Sequence, residues 1–132
     1  MRILGIDYGK RKMGFAVGDT ETKLAEPLKV LRYRDINLLS EQIEKIVSEL
    51  NIEKIVLGIS EGKMAEETMR FGRKLEEKTG IPIIYQDETL TTHEAQELSI
   101  KAGIKRKKRR ALEDAYSATL VLQRFLDKNL LY

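Results

Sequence analysis

The segment over residues 2–18 constrains the fold more than any other part of the chain. An apolar run over residues 2–8 carries a single carboxylate at Asp7, turns at Gly9, and is followed by a second apolar run over residues 13–18. Short apolar runs bounded by glycine predict two buried strands joined as a hairpin. Because an acid at the end of a core strand is costly to desolvate, Asp7 indicates a cationic partner. That partner is a metal ion, a phosphate-bound metal or a fixed basic side chain.

The rest of the chain alternates apolar strands with helical repeats. We predict strands at 28–33, 54–58 and 81–88, with Pro27 at the start of the first of them, and helices at 36–50, 65–78, 91–103 and 111–129. Three early strands with short connections predict an antiparallel meander, and later strands separated by helices predict parallel pairing through right-handed crossovers. The sequence therefore predicts one α/β domain over residues 1–132, with a five-stranded mixed sheet flanked by helices.

Composition argues against a membrane or secreted protein. No apolar run approaches the roughly 20 residues that a membrane span needs. The chain runs from Met1 directly into the first predicted strand, without the pattern of a signal peptide. There is no cysteine, which excludes disulfides and thiolate metal sites. These features suit a cytoplasmic protein.

The basic residues are clustered, although the net charge is only +3. Clusters of this kind are typical of a polyanionic partner, while the simpler interpretation is a solvated loop. Cations at the start of the last predicted helix oppose its macrodipole, so the phosphates of a bound nucleic acid would explain them. The residues predicted to contact nucleic acid are Lys10, Arg11, Lys12, Lys105, Arg106, Lys107, Lys108, Arg109 and Arg110.

Acidic residues follow apolar sequence at three places. Asp7 ends the first strand, and Asp87 and Glu88 end the fifth. Parallel strands would bring these acids to one edge of the sheet, where open α/β sheets bind their ligands. Asp114 shares the apolar face of the last helix and could reach the same edge.

Carboxylates from distant segments can form an oxygen-rich site suited to Mg²⁺ or Mn²⁺. We take Asp7, Glu88 and Asp114 as candidate metal ligands, with Asp87 as a further one. Such ions can activate water and stabilise the leaving oxygen in phosphodiester hydrolysis. Two structural alternatives stay open. Asp114 can favour a helix dipole, and Asp87 can cap the turn before Thr91.

The combined motifs resemble the YqgF family, described as pre-16S rRNA nucleases or Holliday-junction resolvases with an RNase H-like fold. The resemblance covers nearly the whole chain and is carried by Ile6-Asp7-Tyr8-Gly9 with Arg11, Gly14 and Ala16, by Val56-Leu57-Gly58, by Asp87-Glu88 with Leu90, Thr91 and Thr92, and by Asp114 with Ala118, Leu122 and Leu126. It implies a metal-dependent nuclease in which Asp7, Glu88 and Asp114 are the catalytic acids. The chain departs from the family pattern at two places that bear on substrate binding. Thr89 stands where the family usually has arginine, and the loop over residues 58–63 is shorter than the family's loop.

The leading hypothesis is an endonuclease that acts on structured RNA or branched DNA. It would process the 5′ end of pre-16S rRNA or resolve Holliday junctions, as a monomer or a homodimer. One alternative is a nucleic-acid-binding module that assists ribosome maturation without catalysis. Another is an ATP-dependent phosphotransferase of the actin and sugar-kinase type. Those proteins place the nucleotide between two domains, so the length of this chain argues against it.

Overall fold

The computed structural model describes residues 1–88 and 106–128, with the side chains of the second range described from residue 112 onward. The elements within these ranges are β1 (Arg2–Asp7), β2 (Lys12–Asp19), β3 (Ala25–Arg32), α1 (Ile36–Glu49), β4 (Ile52–Ile59), α2 (Lys63–Thr79), β5 (Ile83–Asp87) and α3 (Arg106–Lys128). The helix predicted at 91–103 and the proposed capping of the turn before Thr91 lie outside the described residues. No helix in the described ranges is long and apolar enough to cross a membrane.

The strands form one sheet in the order β3-β2-β1-β4-β5. β1, β2 and β3 pair antiparallel, while β1 with β4 and β4 with β5 pair parallel. The predicted mixed sheet is therefore confirmed. In its register, Asp7 lies opposite Gly14 on one side and Gly58 on the other, and Ile59 lies opposite Asp87. The carboxyl ends of β1, β4 and β5 thus meet at one edge.

Strand β3 begins earlier than predicted, because Pro27 lies inside the strand and not at its start. Proline cannot donate a ladder hydrogen bond, so it is tolerated at a sheet edge or a bulge. Both conditions hold here, since β3 is an edge strand and Pro27 pairs with Ala16 at an irregularity in the β2–β3 register.

The two faces of the sheet are packed differently. One face carries α1 and α2 over large apolar side chains, with Phe15 and Leu57 among the most buried. The other face carries α3 over smaller residues, and its buried cluster includes Ala16 and Ala118. Because side chains alternate along a strand, Asp7 lies on the α3 face with Ile3 and Gly5.

Candidate active site

The candidate site is built around Asp7 and Glu88 at the carboxyl edge of the sheet. Asp7 is the last residue of β1, and Glu88 directly follows β5. The Glu88 N–H donates to the carbonyl of Ile59 at 3.1 Å, which continues the β4–β5 pairing by one residue. Their side chains are hydrogen-bonded to each other, and the Oε2 atom of Glu88 is buried. A hydrogen bond between two carboxyl groups requires that they share a proton.

Glycine on the α3 face allows close approach to this pair. A Cβ atom at Gly14 would overlap the backbone carbonyl of Asp114. A Cβ atom at Gly58 would lie 2.7 Å from Oε2 of Glu88 and 3.1 Å from Cγ2 of Val121. The two positions opposite Asp7 in the sheet are therefore residues without a side chain, and this brings α3 and Glu88 close to the end of β1.

The three acids repel one another in this site. Burial raises the pKa of Asp7 to about 9, and the hydrogen bond to Glu88 and the negative charges of Glu88 and Asp114 contribute to the same rise. The positive charge of Lys12 acts in the opposite direction. Its Nζ atom lies 3.1 Å from Oδ2 of Asp114. Neighbouring buried acids are costly to ionise together, so this arrangement indicates a place where a further cation is bound.

The chemistry of these donors fits a hard divalent cation. Carboxylate oxygens are the ligands that Mg²⁺ and Mn²⁺ prefer, and Asp7, Glu88 and Asp114 bring such oxygens together from three separate segments of the chain. In residues 1–88 and 106–128, no three acidic or histidine side chains already form a ready-made coordination group. Instead, Asp7 and Glu88 are bound to each other and Asp114 is bound to Lys12. The proton shared by Asp7 and Glu88 and the ammonium group of Lys12 partly replace the positive charge of a metal ion.

The position of Asp114 argues against the helix-dipole alternative. Helix α3 begins at Arg106 instead of the predicted Ala111, which places Asp114 about two turns inside the helix. The dipole acts mainly on charges in the first turn, and that turn contains no acidic residue. Interaction with the dipole is thus the wrong explanation for this acid.

Asp87 lies apart from the cluster. Its side chain is exposed, while the preceding Gln86 is buried and accepts a hydrogen bond from Lys128 of α3 at 3.3 Å. Since side chains alternate along β5, Asp87 projects to the face opposite Gln86. Its role as a metal ligand stays a prediction that this placement does not favour.

The predicted basic residues fall into three groups. Lys10 and Arg11 are exposed in the turn after β1, where Nζ of Lys10 lies 3.6 Å from Oε1 of Glu67. Lys12 contacts Asp114 and so belongs to the acidic site. The backbone of Arg106, Lys107, Lys108, Arg109 and Arg110 forms the first turns of α3, and Lys105 lies outside the described residues. Contact of all these residues with nucleic acid stays a prediction.

The fold and the acidic sheet edge together define a class of protein. The fold is that of RuvC from Thermus thermophilus, solved with a Holliday junction substrate, with a TM-score of 0.63 at 15% identity over 98% of this chain and 96% of that one. The fowlpox virus resolvase, solved with Holliday junction DNA, gives a TM-score of 0.69 at 11% identity over 98% and 99% of the two chains. The chain therefore has the RNase H-like fold of these resolvases.

Sequence comparison gives the particular family. Residues 1–128 match the model of the RuvX family, described as a Holliday junction resolvase. A protein of Syntrophus aciditrophicus, named "Putative pre-16S rRNA nuclease", is 39% identical over 96% of this chain and 89% of its own length. A protein of Agathobacter rectalis with the same name is 36% identical over 96% and 95%. This chain belongs to the RuvX/YqgF family, and the resemblance seen in its motifs is confirmed.

Proposed function

We propose that this protein is a metal-dependent endonuclease that hydrolyses phosphodiester bonds in structured nucleic acid. The observation that carries the proposal is the burial of Asp7 beside Glu88 and Asp114 at the carboxyl edge of the sheet, and the raised pKa of Asp7 is its consequence. Such a cluster of acids is destabilising in itself and becomes favourable when a cation is bound. Membership of a family of nucleases and resolvases supplies the reaction class.

We assign Asp7, Glu88 and Asp114 as the residues that hold Mg²⁺ or Mn²⁺. A bound ion of this kind lowers the pKa of water and stabilises charge on phosphoryl oxygens. The protein residues hold the acids in position: Gly14 lets α3 bring Asp114 close, and Gly58 leaves room for Glu88. Lys12 keeps Asp114 paired when no metal is bound.

The substrate class follows from the names of the relatives and the charge of the chain. The curated relatives are named for pre-16S rRNA, and the structural neighbours were solved with Holliday junctions. We propose processing of the 5′ end of pre-16S rRNA as the principal activity, with junction resolution as the second candidate. The basic residues of the turn after β1 and of the start of α3 would bind the phosphate backbone without reading sequence.

The remaining proposals concern the molecule as a whole. We propose that residues 1–132 act as one nuclease domain and that the protein works in the cytoplasm. It would act as a monomer on rRNA or as a homodimer on a junction, because a symmetric junction presents two equivalent strands to a two-fold assembly.

A divalent-metal titration tests the proposed function. Labelled precursor rRNA and a labelled four-way DNA junction are incubated with the protein in EDTA and at rising Mg²⁺ or Mn²⁺. We expect cleavage that requires the metal, and the better substrate identifies the principal activity. Metal-independent binding of both nucleic acids without cleavage would overturn the proposal and favour the non-catalytic maturation factor.

A further inference from the structure

Basic side chains line an open groove beside the acidic site, and most of them come from parts of the chain that contain no basic run. The groove lies between the turn after β1, the end of β3 and the exposed side of α2. Its exposed basic residues are Lys10, Arg11, Arg32, Arg34, Arg70, Lys74 and Lys78. The part of the groove between the turn and β3 has a volume of about 740 Å³ and no acidic residue in its lining.

The groove is attached directly to the candidate site. Tyr8 follows Asp7 and packs against Phe71 of α2, with ring centroids 5.4 Å apart. The hydroxyl of Tyr33 donates to the carbonyl of Gly9, and the N–H of Tyr33 donates to the carbonyl of Arg11 at 2.9 Å. The end of β3 and the middle of α2 are thus fixed to the same turn. The position of these cations relative to Asp7 is therefore set by the fold.

The charge of the groove is poorly neutralised by the protein. Lys10 pairs with Glu67 and Lys78 pairs with Glu44, each at 3.6 Å, which engages two of the seven cations. The other five make no ion pair with any side chain in the described part of the chain. Several cations held close together without partners repel one another, and a bound polyanion relieves that repulsion.

We propose that this groove binds the phosphodiester backbone of the substrate on the side of the site opposite α3. The inference rests on the proposed nuclease function, because it places a strand whose cleaved bond lies at Asp7. The phosphates next to that bond meet the turn after β1, and those further along meet Arg32 and Arg34 on one wall and Arg70 and Lys74 on the other. Contacts of this kind position a strand without selecting its sequence.

The test compares two triple variants that lose the same charge. The groove variant carries Arg32→Gln, Arg34→Gln and Arg70→Gln. The control carries Arg2→Gln, Lys29→Gln and Lys54→Gln, which lie away from the groove on β1, β3 and β4. Both are made in the Asp7→Asn background, so that cleavage does not interfere. Binding of labelled precursor rRNA and of the four-way junction is then measured from about 50 to 200 mM salt, a range over which phosphate contacts weaken strongly.

We expect the groove variant to bind about tenfold or more weakly and to lose about 2 to 3 from the slope of log K against log salt, since each phosphate contact contributes about 0.7 to 0.9. The control should change neither quantity by as much. Equal losses in both variants, or no loss in either, would overturn the inference. Cleavage by the protein with Asp7 intact is measured separately, so failure of the groove proposal is distinguished from failure of the nuclease proposal.

Discussion

The two faces of the sheet are built for different purposes. The face under α1 and α2 is filled by large side chains such as Phe15 and Leu57, which exclude water and keep the helices at a distance. The face under α3 contains Gly5, Gly14 and Gly58, at which a side chain would collide with α3 or with Glu88. The first face stabilises the fold by apolar burial, while the second allows carboxyl groups to approach one another.

This difference separates charges of opposite sign at the same sheet edge. The alternation of β1 directs Asp7 to the α3 face, whereas Tyr8 packs with Phe71 on the α2 face. The acids gather on the α3 face, and the basic groove begins on the α2 face. A substrate strand lying over this edge would meet the acids proposed to bind metal on one side and the cations proposed to bind phosphate on the other.

The largest effect is expected from closing the space on the α3 face. Gly14→Ala places a methyl group against the backbone carbonyl of Asp114, which no side-chain movement can relieve. We expect a loss of about 3 kcal/mol or more in the free energy of unfolding, at the upper end of overpacking effects. Chemical denaturation measures it. Cleavage should also fall, because Asp114 is displaced.

The matched change on the other face is Gly72→Ala, where the added Cβ overlaps the hydroxyl of Tyr85. The Gly72→Ala variant should lose stability for this reason, and removing the hydroxyl with Tyr85→Phe should recover part of that loss.

If Gly14→Ala proves as stable as the natural protein, the close approach of α3 to the sheet is wrong.

The next effect concerns pH and the metal-free protein. Because the pKa of Asp7 is raised in the folded state, its contribution to stability is fully present below its unfolded value of 3.8 and is lost as the pH rises toward about 9. Asp7→Asn removes this loss. In EDTA, the melting temperature of the variant minus that of the natural protein should therefore increase by roughly 5–10 °C from pH 6 to pH 8. A difference that stays constant with pH would contradict the assigned environment of Asp7.

The smallest effect is expected at Lys12. Its ion pair with Asp114 is partly exposed, so it contributes about 1 kcal/mol or less to stability. Lys12→Met removes a positive charge that competes with a metal ion, and Mn²⁺ should bind about two- to fivefold more tightly, as measured by calorimetry. Lys10→Met, which removes a cation paired with Glu67, serves as the control. Weaker metal binding by the Lys12 variant would show that Lys12 supports the site instead of competing with it.

Much of the fold could be predicted because apolar periodicity and glycine positions are local signals. The antiparallel and parallel strand pairings followed from connection lengths, and Gly80 ends α2 in the left-handed conformation expected of a helix stop. The start of α3 could not be read in the same way. The residues from Arg106 to Arg110 carry no apolar spacing, and yet they are helical.

The candidate site was only partly predictable. Sequence reasoning selected Asp7, Glu88 and Asp114, and the structure brings them close enough to interact. It did not anticipate the pairing of Lys12 with Asp114, because that pairing depends on the contact between β2 and α3. Of the basic groove, sequence reasoning selected only Lys10 and Arg11. Arg32, Arg34, Arg70 and Lys74 come from separate segments, and their only local signals are the alternation of Arg32 with Arg34 and the helical spacing of Arg70 and Lys74.

The most direct test of the central claim is single-turnover cleavage of precursor rRNA in Mn²⁺ by Asp7→Asn and by Asp19→Asn. Asp19 is the last residue of β2 and lies opposite Arg2 in the β1–β2 register, at the end of β1 away from Asp7. Its variant therefore loses the same charge away from the site. We predict that Asp7→Asn cleaves about 10²–10³-fold more slowly or not at all while binding the RNA as tightly as the natural protein, and that Asp19→Asn keeps its rate. Cleavage by Asp7→Asn at the natural rate would contradict the account.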